Sequence, residues 1–493
     1  MTQTPLADPL RATSNAGRWV LVATILGSGL AGIDQTVVGV ALPTIGRDLG
    51  ASFAGLQWTV SAYTLTLASL ILWGGALGDR FGRRRAFLSG VVAFTAASAL
   101  CAAAPNITFL ILARAVQGMG GALLTPASLA LIESSFVPED RARAIGTWAG
   151  FSGVATALAP FVGGWILAAA SWRWVFLINL PMAALVIALT LRHVPESRQD
   201  RHGRAAGARS GASDWQGAVL TVVGLGTLTW AALGSSGSGA VAERVAAVAV
   251  AAVAFTSFVL VERRSDHPLV PLDLFADRTF SVTNVATFLL YGAIGCFFFL
   301  LVIALQLVCG FSPLAAGAAS LPVTVLTLAL SARSGELAAR IGPRTQMSLG
   351  PLVCAVGVVL TLRLSPDSNY WVDVLPAVLL FGLGLVTFVA PLTSTALSSA
   401  PTENAGVASG VNNAVARSGT LLAVAVIPVL TGLSGDAFGD VGSFRDGYRA
   451  CTWAIAALLV GASVMAAVGL PRVCPRLRAP RCRPDPVAGS PGH

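Results

Sequence analysis

The chain reads as an all-α polytopic membrane protein with fourteen spans, and three observations lead there. Apolar residues make up 55% of the 493 and charged residues 11%, against about 25% charged in an ordinary soluble chain. The apolar residues arrive in blocks of 17 to 27, lengths that match a ~30 Å hydrocarbon core at 1.5 Å per helical residue. The run Gly75 to Arg84 (GALGDRFGRR) also reads directly against Gly335 to Arg344 (GELAARIGPR) at an offset of 260. Six spans are therefore repeated with two between the copies, and repeats of this kind mark secondary transporters.

In chain order, the apolar blocks predict spans near 19–43, 55–76, 86–104, 107–133, 144–168 and 174–191. Two more follow near 215–233 and 241–261, and the last six near 280–305, 314–332, 346–362, 371–395, 405–431 and 450–470. This divides the chain into a tail (1–18), a first six-helix half (19–193), a polar Arg-rich linker (194–213) and two inserted helices (214–262). A charged segment (263–279), a second six-helix half (280–470) and a second tail (471–493) complete it. Arg11 and Arg18 precede the first apolar run as in a signal peptide. That run is twice the length of a signal h-region and leads into further spans, so it is expected to stay as the first helix.

All 32 basic residues are Arg, and 24 of them fall on one side of the membrane once the spans are threaded. Only Arg47, Arg173, Arg244, Arg363, Arg445 and Arg449 face the other way, while Arg114 and Arg417 lie within spans. The positive-inside rule then places both termini in the cytoplasm. The net charge of +9 is thereby accounted for by topology, which removes the case for nucleic acid. With no Lys there is no Walker A lysine, so ATP-driven transport by this chain alone is not expected. The four His (His193, His202, His267, His493) lie in loops or at the tail, no triad or His-Glu-x-x-His spacing occurs, and the seven Cys form no CxxC pair. Neither an enzyme nor a metal site is expected.

Asp34 stands out because it places a carboxylate inside the first span, about 13 Å from the closing Pro43. An unpaired charge at that depth costs roughly 2.5 to 3.5 kcal/mol, so an ionisable residue there is a functional-site candidate by default. A neutral, protonated Asp joining two helices is the structural alternative. Arg114 enters from the outside near Ile107 and so lies about 10 Å deep, close to Asp34. It is expected to be the electrostatic neighbour of Asp34. In the loop after the second span, Gly75 and Gly82 permit tight packing and turning, while Asp79 can bridge Arg80 and Arg83 as a conformational latch. A purely topological role for those arginines is the alternative. Polar residues within spans (Tyr63, Gln117, Asn284, Gln306, Asn412, Asn413) are candidates for a substrate cavity, with snorkelling equally open for the Asn412 to Arg417 run. Trp19, Trp172, Trp174 and Trp371 are expected to be interface anchors.

At these residues the chain resembles the major facilitator superfamily, and within it the fourteen-span drug:proton antiporter family, over nearly all of Trp19 to Leu470. Asp34 to Pro43 is similar to that family's first-span signature, with Gly39 where an Asn is usual. Gly75 to Arg84 resembles the superfamily's cytoplasmic loop motif, Arg114 to Ala122 the fourth-span motif, and Trp172 to Pro181 the junction before the sixth span. The fifth span departs from the pattern. Where the antiporter motif carries Gly-Pro this chain has Ala159-Pro160, with Gly163-Gly164 following.

The resemblance implies a major-facilitator fold of two six-helix halves plus two inserted central helices. It also implies alternating-access export of a small hydrophobic or cationic compound, such as a drug or antibiotic, from the membrane of a bacterial cell. The coupling ion would be the proton, bound at Asp34 beside Arg114, with no other cofactor and with the protein acting as a monomer in the lipid bilayer. A dedicated exporter of one endogenous metabolite and a non-transporting membrane sensor remain the alternatives.

Overall fold

Fourteen helices long and apolar enough to cross a membrane stand among the residues described by the computed structural model, 10–195, 215–234, 240–265, 268–400, 405–433 and 441–471. Most of the expected linker, half of the first expected tail and nearly all of the second lie outside those residues. The first half comprises α1 (Asn15–Leu49), α2 (Phe53–Phe81), α3 (Arg83–Ala102), α4 (Ile107–Ser135), α5 (Pro138–Ala169), and the consecutive pair α6 (Trp174–Leu177) and α7 (Asn179–His193). Then come α8 (Trp215–Leu233) and α9 (Ala240–Arg264). The second half comprises α10 (Arg278–Leu307), α11 (Pro313–Ala318) with α12 (Leu321–Ile341), α13 (Pro343–Leu360), α14 (Leu375–Ser398), α15 (Ala405–Leu430) and α16 (Val441–Gly469).

Local chemistry sets where these helices begin. Side chains of Ser14, Ser52, Asn106, Asp277 and Ser312 each accept a backbone N–H of the first turn, and Pro138, Pro313 and Pro343 open helices where an N–H would be unpaired anyway. The internal repeat is visible in the backbone. Gly82, between α2 and α3, has φ 108, and its counterpart Gly342, between α12 and α13, has φ 84, values that side chains rarely adopt. It is visible in the packing too. A Cβ on Gly90 of α3 would meet Leu124 N of α4 at 2.7 Å, and one on Gly350 of α13 would meet Gly384 O of α14 at 2.9 Å.

Several expected boundaries shift. The first span does not close at Pro43: α1 continues to Leu49, so Asp34 lies fifteen residues, about 22 Å, from its end. The sixth and tenth spans are each broken, at Ile178 and at Ala319–Ser320, and α16 begins at Val441, ahead of the expected 450, with Arg445, Asp446 and Arg449 in its first turns. Hydropathy alone discards such charged turns although they are helical. The inserted helices sit on the outside of the bundle: α8 packs along α2 and α15, with Gly226 against Leu65, and α9 packs on α8, with Phe255 against Gly224.

The two halves close on each other at the end away from the Arg-rich α2–α3 connection. There a Cβ on Gly317 of α11 would stand 2.2 Å from Pro160 O of α5, and one on Gly164 would stand 2.5 Å from Leu314 Cα. Gln306 Nε2 donates to Val40 O at 3.0 Å and Gln57 Nε2 to Val424 O at 2.6 Å, and the Phe53 and Phe299 rings meet edge to face at 5.9 Å. Toward the Arg-rich end α15 still touches α2, with Gly410 near Leu72, but Gly146 and Gly150 of α5 and Gly335 of α12 face open space. The close glycine contacts between the halves are thus concentrated at the end away from the Arg-rich connection.

Candidate functional site

Five of the first-half helices converge on Asp34. Arg114 Nη1 of α4 donates to its Oδ2 at 2.5 Å, while Gln117 Nε2 of α4 and Asn179 Nδ2 of α7 donate to its Oδ1 at 2.8 and 2.9 Å. Ser98 Oγ of α3 accepts from both amides, at 2.7 and 3.2 Å. Arg114 in turn donates through Nε to Thr59 O of α2 at 3.2 Å and through Nη1 to Gln117 Oε1 at 2.6 Å, with its guanidinium 4.3 Å above the Tyr63 ring. Asp34 is 1% exposed and Arg114, Gln117 and Asn179 are fully buried. Three donors point at Asp34, so the arrangement fits a carboxylate rather than a carboxylic acid. Asn179 Oδ1, beside it, has no hydrogen-bond partner.

The structure therefore brings Asp34, Arg114 and Gln117 together and packs Tyr63 beneath them, its hydroxyl 3.5 Å from Ala31 O. Tyr63 and Gln117 belong to this closed cluster and line no open cavity. Asn284 and Asn412 pair with each other: Asn412 Nδ2 donates to Asn284 Oδ1 at 3.1 Å and to Thr287 Oγ1 at 2.9 Å, joining α10 to α15. Gln306 borders a cavity of about 260 Å³ at the closed end, together with Pro43, Arg47 and Phe311. Asn413 is exposed and its Oδ1 accepts from Arg417 Nε at 3.4 Å, while Arg417 Nη1 crosses to Gln35 Oε1 on α1 at 2.9 Å. Arg417 thus turns toward the other half rather than snorkelling along its own helix.

In the loop motif Asp79 pairs with Arg83 at 3.2 Å within one helical turn, and Arg83 Nη1 donates to Ala130 O of α4 at 3.0 Å. Arg84 Nη2 donates to Leu191 O of α7 at 2.9 Å, and Arg80 lies over the Phe81 ring. These contacts stay inside the first half. Gly75 faces Pro126, and Gly82 makes the turn already described. In the fifth span Ala159 and Pro160 are buried, a Cβ on Gly163 would meet Val37 Cγ1 at 2.8 Å, and Gly164 lies against Leu314. Trp172 is not an interface anchor: it is 2% exposed, and its Nε1 donates to Asp48 Oδ2 at 2.7 Å beside the Arg173–Asp48 pair. Trp174 and Trp371, at 56% and 71% exposure, keep that role open.

Sequence reasoning named neither Asn179 nor Ser98 nor Gln35 as site residues. Asn179 and Gln35 are visible in the sequence as polar residues inside spans, but nothing along the chain ranks them above the other amides there. Ser98 gives no signal, because a hydroxyl in a span can satisfy itself on its own helix.

Two repeated lobes of membrane helices, with a buried carboxylate–guanidinium cluster in one of them, fit a membrane transporter. Residues 24–424 match the family model of the Major Facilitator Superfamily, and the chain belongs to that superfamily. It is 34% identical over 410 residues to the multidrug resistance protein Stp of Mycobacterium tuberculosis (strain CDC 1551 / Oshkosh), covering 83% of this chain and 74% of that protein. It is also 34% identical over 425 residues to the tetracenomycin C resistance and export protein of Streptomyces glaucescens, covering 85% and 77%. Its fold is similar, with a TM-score of 0.67 and 16% identity, to the crystal structure of a bacterial homolog of the human lysosomal transporter Spinster in an inward-facing, unoccupied conformation. That match covers 93% of this chain and 97% of the other.

Proposed function

We propose that the chain is a proton-coupled antiporter that expels a small, largely apolar compound, such as a drug or antibiotic, by alternating access between its two halves. The observation that carries this is Asp34, a carboxylate buried at mid-span whose every contact is a donor that can let go. The Arg-rich end is the cytoplasmic side by the positive-inside rule, so the close contacts between the halves lie toward the outside. In this form Asp34 rests on Arg114. Opening to the outside would expose it to a proton, whose binding would cancel the charge that holds Arg114. A membrane potential of 100 mV adds about 2.3 kcal/mol per charge to inward proton movement. The relatives named for multidrug resistance and for export support the class of cargo. A cationic cargo would have to take Asp34 from Arg114, since no other carboxylate of the described spans stands at that depth.

The test is made in inside-out vesicles holding the wild-type chain. Acidifying the lumen is expected to drive uptake of a dye or drug, and adding that compound is expected to release lumenal protons. Uptake that survives full collapse of the pH gradient and potential by an uncoupler would refute antiport.

A further inference from the structure

Two arginines stand at mid-span depth, and only one of them has a carboxylate. Arg114 is neutralised by Asp34. Arg417, twelve residues into α15 and so about 18 Å along it, donates to two neutral amides, Gln35 Oε1 at 2.9 Å and Asn413 Oδ1 at 3.4 Å. Among the described residues no carboxylate comes within ion-pair distance of it, and its Nη2 donates to no protein acceptor. Its side chain is partly exposed. Its bond to Gln35 places it at the seam between the two halves.

A guanidinium stays charged at any physiological pH and presents a planar fork of donors suited to an oxyanion. Holding one unpaired inside a membrane protein is unfavourable unless something of opposite charge visits it. The neighbouring wall leaves room for such a visitor. Gly39 lies one helical turn beyond Gln35, on the same face of α1, and has nothing within 4 Å of where a side chain would stand.

We propose that Arg417, Gln35 and the open space at Gly39 form an anion subsite, and that the exported compounds carry an acidic group, a carboxylate, sulfonate or ionised phenol, on an apolar body. This rests on the export reading above and names its cargo by charge. The acidic group takes the Nη1 and Nη2 donors of the Arg417 fork together, displacing the Gln35 contact from Nη1, and the apolar body lies along α1 beside Gly39.

The test is equilibrium binding to the full chain in nanodiscs, without any gradient, against empty nanodiscs. The probes are 8-anilinonaphthalene-1-sulfonate, its uncharged counterpart N-phenyl-1-naphthylamine, and the cation ethidium. The wild type is expected to bind the sulfonate above the empty-disc background and more tightly than ethidium. Arg417→Gln is expected to weaken the sulfonate about tenfold or more while leaving the uncharged probe within about twofold, and Arg417→Lys to keep most of the affinity. Should Arg417→Gln fail to fold, Gly39→Leu, which fills the open space, is expected to give the same selective loss. The proposal is overturned if the wild type shows no sulfonate binding above background or prefers ethidium. It is equally overturned if the folded Arg417→Gln chain, or Gly39→Leu in its place, fails to weaken the sulfonate selectively. Because no gradient is present, failure of proton coupling would leave this result untouched. Uphill transport with no dependence on Arg417 would sink the subsite alone.

Discussion

Replacing Asp34 by Asn keeps the volume at the centre of the cluster and removes its negative charge, which leaves Arg114 fully buried without a counter-ion. Opposite charges about 4 Å apart at an effective dielectric of 20 attract by about 4 kcal/mol. Removing one partner of a buried pair costs about 3 to 5 kcal/mol for the same reason. Asp34→Asn is therefore expected both to lower the unfolding temperature of the detergent-purified protein and to abolish gradient-driven transport. The double variant Asp34→Asn/Arg114→Gln separates the two effects, since it removes the orphaned charge while leaving Tyr63, Ser98 and Asn179 in place. It is expected to regain most of the lost thermal stability and none of the uphill transport. Thermal unfolding followed by intrinsic fluorescence reads the first quantity, and lumen-acid-driven dye uptake in inside-out vesicles reads the second. A double variant that still pumps uphill would show that Asp34 only ties α1 to α4. A single variant as stable as the wild type would show that Arg114 tolerates burial without its counter-ion, contrary to the cost given above.

Other parts of the chain give further expectations. Asp79→Ala removes the 3.2 Å pair that positions Arg83 under Ala130 O; turnover is expected to fall about tenfold with affinity in detergent unchanged within about twofold, and an affinity loss at normal turnover would count against a latch. Gly317→Ala would place a Cβ 2.2 Å from Pro160 O, so the end away from the Arg cluster should close less often. In a cysteine-free background, thiol labelling of Gln306→Cys is then expected to speed up several-fold, and an unchanged rate would refute the closure role. Val250→Trp on α9, at a position 46% exposed, is expected to leave the range of exported compounds unchanged; a changed range would place the inserted helices on the transport path.

The sequence carried the parts of the fold that depend on solvent and handedness of turn, and missed those that depend on neighbours. Fourteen apolar blocks became fourteen helices because the hydrocarbon core demands intramolecular backbone bonding over its full thickness. The repeat was legible because Gly82 and Gly342 meet the same backbone demand at the same place in each half. The helix ends were less legible, as at α16, where Arg445 and Arg449 stay helical once clear of the apolar layer. The pairing of Asp34 with Arg114 followed from cost, since each needs the other at that depth. Asn179 could not be ranked above other amides in spans, because nothing along the chain says that α7 brings it within 2.9 Å of Asp34. Trp172 looked like any interfacial Trp until Asp48 supplied a partner for its indole N–H.

The placement of the two arginines gives α1 a particular position between the proposed sites. Asp34 and Gln35 are consecutive, so their side chains leave the helix about 100° apart. One points into its own half, where three donors hold it, and the other reaches the opposite half, where Arg417 holds it through a neutral contact. A proton on Asp34 would cancel the strongest of the first set of contacts. An anion on Arg417 would displace the second, because a bidentate bond between two opposite charges outcompetes a single bond to a neutral amide oxygen. Each event would thus loosen one contact of α1, the first within its own half and the second to the opposite half, and the two act one residue apart on an element that also lines the closed end through Val40 and Gln306. A helix held on two faces in this way would feel either release, which is the link that the proposed exchange of a proton for a cargo needs.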